Sequence, residues 1–385
     1  MKYKILAISD IHWGAVEAKR LYDNLQLVLN TIQIMLEVDR LDLVVICGDY
    51  FDYKLSLNSK SSLLAIAWMD ELYKLCTKNN IKIRIIKGTH EHDNNQLEAF
   101  RSYESEMYKI FNTNTLEETL PGLTCLYCPD ENIPTKEYKQ IYIQNLVGGA
   151  DIGFFHGSFD IVLPDIVVQH SEETNARNVI FPFAEFSSLI KGPMISGHWH
   201  NGSFNNPLIY TGSFDRWAFG EEDPKGFLLV QYDTETYEYS YQLVENTNAR
   251  KFDTLYIDTM NFPSAKEYSE LIQLINENYD LDENRLRVVI SRSTERPEDE
   301  ELINAFKKYY VNNRNLKIDI KNIKQITKKK EVKKSLQELT TKYGFLFNNK
   351  EENIAENIQQ FILVNKNKSI PLDIIEKYIT PFLSK

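Results

Sequence analysis

The feature that most constrains the fold is the alternation of two hydrophobic patterns in the N-terminal part of the chain. Tyr3 to Ile8 is a short, β-branched apolar run; Leu21, Leu25, Val28, Leu29, Ile32, Met35 and Leu36 then recur at helical spacing; Leu41 to Cys47 is again continuous. The cycle repeats with a helix over Ser61 to Cys76, carried by Leu64, Ala67, Trp68, Leu72 and Leu75, and a strand over Ile81 to Ile86. Strands without a polar face, separated by helices of this length, pair in parallel inside a buried sheet, which makes the fold α/β. In such sheets ligands gather beyond the carboxyl ends of the strands. Each run ends in a polar cluster: S-D-I-H-W-G, then G-D-Y-F-D, then K-G-T-H-E-H-D.

Asp10 and His12 stand two residues apart at the first of these ends, and a carboxylate beside an imidazole suits a divalent metal. A D-x-H triplet alone is common by chance, so the rest of the chain decides. From about Thr115 the period shortens to strand pairs, including Thr124 to Tyr127, Ile141 to Leu146 and Asp151 to Phe155, the last running into F-H-G-S-F-D. Pro193 to Ser196 leads into G-H-W-H-N-G, and Leu208 to Thr211, Gly226 to Tyr232 and Tyr237 to Leu243 read as a meander completing a second sheet. Of the 7 histidines, His12, His90, His92, His156, His198 and His200 fall at expected strand ends beside Gly, Asp or Glu, and His170 falls outside the pattern and reads as structural.

The chain has 385 residues, enough for two domains or for one with appendages. Its formal net charge of −11 argues against holding nucleic acid by a broad basic surface, so any DNA contact is local, metal-assisted or shared with a partner. The N-terminus lacks a signal-type apolar segment, and no run approaches the about 18 apolar residues of a spanning helix, so a cytoplasmic protein with no membrane role is expected. Cys125 and Cys128 form a lone C-x-x-C inside an apolar segment and read as buried hydrophobes. Apolar patterning lapses around Asn246 to Arg250, giving domains at 1–247, 248–322 and 323–385. The second spells strand, helix, strand, helix, strand, a compact α+β unit. The third opens with a lysine-rich bridge read as a solvated linker. Helical patterns follow over Ser335 to Tyr343, Ile354 to Val364 and Leu372 to Phe382, whose apolar stripes have little chain left to cover them.

The ordered set D-x-H, G-D-x-x-D, a G-N-H-D-like turn, H-G and G-H-x-H resembles the calcineurin-like metallophosphoesterases over about the first 245 residues. Within them the chain is most similar to the SbcD family, the nuclease subunits of SbcCD-type double-strand-break repair complexes; G-S-F-D-R-W-A-F-G-E-E-D-P-K-G-F at 212–227 resembles that family's segment after G-H-x-H. The resemblance implies a sandwich of two central mixed β-sheets flanked by helices, with a small DNA-binding α+β cap and C-terminal helices. It implies two Mn²⁺ ions, with Mg²⁺ a weaker substitute: Asp10, His12 and His200 hold one, Asp49 bridges, and His156 and His198 hold the other. Two such ions, about 3.5–4 Å apart, lower the pKa of a shared water and hold both oxygens of an in-line displacement at phosphorus. It further implies 3′-to-5′ exonuclease and single-strand endonuclease activity in DNA end processing, replication, repair and recombination, a homodimer, and an SbcC-type coiled-coil ATPase partner bound through the C-terminal helices.

The third motif departs from the family, which reads G-N-H-D. Here Gly88, Thr89, His90, Glu91, His92 and Asp93 allow two alignments. In one, Thr89 replaces the Asn ligand and His90 is catalytic; in the other, Glu91 is the ligand, His92 is catalytic and Asp93 completes the H-D pair. The second is preferred, because Glu is a competent ligand and Thr a poor one. Asp52 is read as orienting a ligand from behind, Arg216 as meeting a DNA phosphate or a surface partner, and Trp13 and Trp199 as packing rather than stacking on bases. A phosphatase, a cyclic-nucleotide phosphodiesterase and a structural subunit with an impaired second metal site remain alternatives.

Overall fold

The computed structural model describes residues 1–323 except 94, 132–148, 165–166, 169–179, 259–264, 282–283, 294–297 and 314. The expected strand at Ile141 to Leu146, His170, the lysine-rich bridge beyond Ile323 and the C-terminal helical patterns lie outside the described residues. The chain divides into two compact units after Arg250, where the sequence reading places its boundary after 247.

The first unit opens with β1 (Lys2–Ile8), α1 (Ala18–Val38), β2 (Leu43–Cys47), α2 (Lys60–Lys78), β3 (Lys82–Ile86) and β4 (Tyr108–Phe111). Helix α1 starts where the Glu17 side chain accepts from Arg20 N, and α2 where Ser59 accepts from Ser62 N. Leu21, Leu25, Val28, Leu29 and Ile32 line one buried stripe of α1; Ala65, Trp68, Met69, Leu72 and Cys76 do the same on α2. Strands β5 (Thr115–Leu120), β6 (Leu123–Cys128), β7 (Ile152–His156), β8 (Ser158–Phe159) and β9 (Ile180–Phe181) come next. After α3 (Phe183–Leu189), β10 (Met194–Gly197), β11 (Ser203–Asn205), β12 (Leu208–Tyr210), β13 (Gly226–Asp233) and β14 (Tyr239–Glu245) complete the unit.

Two six-stranded mixed sheets result, in the orders β14-β13-β1-β2-β3-β4 and β11-β12-β10-β7-β6-β5. Because β-strand side chains alternate, one strand serves two cores. Ile5 and Ala7 of β1 pack between the sheets with Leu43, Val45, Tyr127, Phe154 and Ile195, while Leu6 and Ile8 face the α1 and α2 stripes. The outer face of the second sheet is covered by Phe159, Phe181 and Phe186. Each fully buried Leu, Ile or Phe contributes roughly 1.5–3 kcal/mol, which fixes both sheets in register. Cys125 and Cys128, three apart on β6, point to opposite faces and enter different cores, so the C-x-x-C cannot chelate.

The expected meander is corrected in part. Only β12 joins the second sheet, parallel to β10; β13 pairs antiparallel with β1 and β14 with β13, extending the first sheet. The reason is the edge of β1, which β13 fills with a run apolar enough to be buried on both faces. Among the described residues no helix is long and apolar enough to cross a membrane.

The second unit contains β15 (Phe252–Asp258), α4 (Ala265–Asn278), β16 (Arg285–Ser293), α5 (Glu298–Tyr309) and β17 (Leu316–Ile323). The sequence reading makes it α+β; its three strands are all parallel, because a helix joins each to the next. Ile257, Ile275, Val288, Ile290, Ile303 and Phe306 form its core.

Candidate metal centre

The parallel register of β1, β2 and β3 pairs Ile8 with Ile46 and Cys47 with Ile86, so the three strands end together. In the second sheet His156 of β7 pairs with Gly197 of β10. The loops leaving β1 and β2 are laced together by backbone bonds from Asp10 N to Gly48 O (3.1 Å) and from His12 N to Asp49 O (3.0 Å). Two glycines let the sheets meet. A Cβ at Gly48, whose φ is +83°, would lie 2.2 Å from His156 Nδ1, and one at Gly197 would lie 2.3 Å from Cys47 O.

Asp10, His12, Asp49 and His198 all have positive φ, at 51°, 53°, 49° and 86°. Each such residue costs about 1–3 kcal/mol and persists only where surrounding structure enforces it, which is a mark of a functional site.

Among the described residues three groups of side chains converge with their ligand atoms within 4.8 Å: Asp10, His12 and His200; His12, Asp49 and His92; Asp49, His156 and His198. Asp49 accepts from Thr89 N at 2.6 Å, lies 3.2 Å from His156 Nε2 and 2.8 Å from His92 Nδ1, and is 4.0 Å from His12 Nε2. Asp10 accepts from His198 N at 3.1 and 3.0 Å and from Ser9 Oγ at 2.5 Å. Behind the ligands, His156 Nδ1 bonds Cys47 O (2.7 Å) and His200 Nδ1 bonds Glu221 Oε1 (3.0 Å). His12 Nδ1 is 3.2 Å from Asp52 Oδ1, close enough for an ion pair though not aligned as a hydrogen bond.

In the neutral rings of His156 and His200 these outer bonds use the Nδ1 hydrogens and leave the Nε2 lone pairs facing inward. His156 Nε2 then confronts Asp49 Oδ1 at 3.2 Å, and His200 Nε2 confronts His12 Nε2 at 3.0 Å. Acceptors that face one another across such distances need a proton or a cation between them, so the donor set fits divalent ions. The protonation pattern shows the same demand for positive charge between these groups. Burial pushes Asp49 up, but His156 and His92 outweigh it and hold the carboxyl well below its usual range. Burial works against the His156 cation, yet Asp49 raises its pKa to about 10. Desolvation on the inner side of His198 and the neighbouring His156 charge push that ring down, although its outer side meets solvent. Burial and the Asp49 charge lift Asp93 to about 6.

The residues of the third motif take different places. Thr89 lies against Asp49, and its Oγ1 is 3.3 Å from His156 Nε2; Glu91, the preferred ligand of the sequence reading, and His90 are both exposed and join none of the three groups. His92, expected to be catalytic, is at the centre. Asp93 accepts from Phe51 N (3.0 Å) and Gly88 N (2.7 Å), tying two ligand loops together. Arg216 gives its guanidinium to the carbonyls of Glu221 (2.8 Å), Asp223 (3.0 Å) and Arg250 (3.4 Å), so its donors hold a loop. Trp13 is fully buried, whereas Trp199 is 39% exposed and donates to Ser158 Oγ. Sequence reasoning missed Glu221 and Lys225 as individuals; the signal was the E-E-D-P-K string in the quoted 212–227 segment.

The sequence pattern of the calcineurin-like phosphoesterases matches residues 3–202. The chain belongs to that family. As a calcineurin-like phosphoesterase it is a metal-dependent hydrolase of phosphoesters, and the described ligand groups are where such a phosphoesterase could hold its divalent ions.

Proposed function

We propose that this phosphoesterase is a Mn²⁺-dependent DNA nuclease of the SbcD type, acting with an SbcC-type coiled-coil ATPase, as a homodimer, in DNA end processing. The observation that carries the phosphodiester chemistry is Asp49, whose two oxygens face the His156 side and the His12 side of the centre at once. Asp10, His12, His200 and Asp49 would hold one ion; Asp49, His156 and His198, with Thr89 alongside, would hold the other. Bound there, the ions would supply Lewis acidity and charge neutralisation at phosphorus, which a chain of net charge −11 otherwise lacks. His92, half-exposed and kept above its usual pKa by Asp49 against its partial burial, is placed to hold a proton for the departing oxygen. Asp52 and Asp93 keep His12 and the ligand loops in place. The DNA assignment is supported by the resemblance of the motif series and of 212–227 to SbcD subunits, and by a separate β-α-β-α-β unit after Arg250 for which a small-molecule phosphatase has no evident use.

The test is hydrolysis of a labelled oligonucleotide and of p-nitrophenyl phosphate with Mn²⁺, in wild type and Asp49→Ala. The wild type should cleave the DNA faster than the monoester, and Asp49→Ala should lose more than about 10²-fold, since even residues behind a ligand cost 10–100-fold. A monoester turned over faster than DNA would favour a phosphatase. Wild-type activity in Asp49→Ala would refute the site.

A further inference from the structure

We propose that Glu221 and Lys225 form a positioning pair that sets His200 for one ion only, making the two cation sites separately adjustable; this rests on the two-ion reading above. The segment after G-H-W-H folds back over the turn that carries His200. Glu221, 8% exposed, accepts from His200 Nδ1 at 3.0 Å through Oε1 and from Trp217 N at 3.1 Å through Oε2.

Lys225 is 0% exposed; its ammonium donates to His200 O at 2.7 Å and to Asp223 Oδ1 at 3.1 Å and forms an ion pair with Glu221 Oε2 at 3.3 Å. An ammonium buried this fully is tolerated only when so paired. Asp223 in turn accepts from Gly202 N at 2.7 Å, so the clasp grips the His200 turn from both sides. With Nδ1–H committed to Glu221, His200 can present only its Nε2 lone pair to the ion shared with Asp10 and His12. Among the described residues no carboxylate stands behind His156, whose Nδ1 bonds a peptide carbonyl instead. The pair therefore acts on the Asp10 side and leaves the His156 side alone.

The test is Mn²⁺ titration of the full chain, with free Mn²⁺ read by electron paramagnetic resonance, in wild type, Glu221→Gln and Glu221→Ala, each with a thermal melt. Wild type should bind two ions. Glu221→Ala should weaken one by ~10–100-fold and leave the other unchanged, with the retained ion beside His156 in anomalous scattering maps. Glu221→Gln keeps an acceptor oxygen but no charge and should fall between the two; it carries the test if Glu221→Ala does not fold. Variants that bind both ions as wild type does, or that weaken both together, overturn the proposal while the two-ion centre stands. A wild type that binds no Mn²⁺ overturns both.

Discussion

The two halves of the centre are built to different standards. On the Asp10 side, His12 and His200 each have a carboxylate behind them, Asp52 and Glu221, and the Trp217 ring packs edge-on against His12 at 5.4 Å. On the His156 side the outer partner of His156 is the Cys47 carbonyl, the His198 ring meets solvent, and the neighbouring polar side chain is the Thr89 hydroxyl. Carboxylate-backed imidazoles are more basic ligands, and a neutral hydroxyl is a poor one. On the proposed two-ion reading, the difference predicts that the first ion would be held by the fold, whereas the second would depend on conditions and substrate.

The largest effect that should separate the halves is that of pH. His156 must give up its proton to bind an ion, and its pKa is raised to about 10. Affinity on its side should therefore rise about tenfold per pH unit below that value, ~100-fold between pH 7 and 9. Linkage fixes the sign for the metal-free protein. A raised histidine pKa contributes stability that is complete below the unfolded value of about 6.5 and is lost as pH rises through about 10. Melting temperatures taken with a chelator should fall across that window, and Mn²⁺ should flatten the fall. Equal steepness of Mn²⁺ binding at both sites across pH 7–9 would break the comparison.

A smaller effect is expected from Thr89→Asn, which puts a carbonyl oxygen where the hydroxyl now lies. The second ion should bind up to about tenfold more tightly, with the first unchanged. Titration that shows no gain, or a gain at the first site, would count against Thr89 as the weak member.

Much of this site was legible because its residues obey strand periodicity. Asp10, Asp49, His156 and His198 follow apolar runs whose ends the pattern places, and parallel register brings those ends together. The third motif was not legible in full. Glu91 is the better ligand by type, but the chain turns immediately after β3, with His92 N bonded to Thr89 O, and this leaves Glu91 on the outside of the turn. The surroundings of Arg216 were hidden for a related reason. A guanidinium near a metal site invites a phosphate, and only the tertiary structure reveals three backbone carbonyls around it. The placement of β13 beside β1 also could not be read locally, since antiparallel pairing between residues 2 and 233 leaves no mark in a short window. Glu221 and Lys225 pair for reasons the string alone does not state, because both depend on the fold returning them to His200.

The most direct measurement is anomalous diffraction at the manganese edge from crystals soaked in Mn²⁺. The account predicts two peaks, one among Asp10, His12, His200 and Asp49 and the other among Asp49, His156 and His198, with the first fuller at low Mn²⁺. Peaks elsewhere, or Glu91 in place of Thr89 beside the second ion, would contradict it.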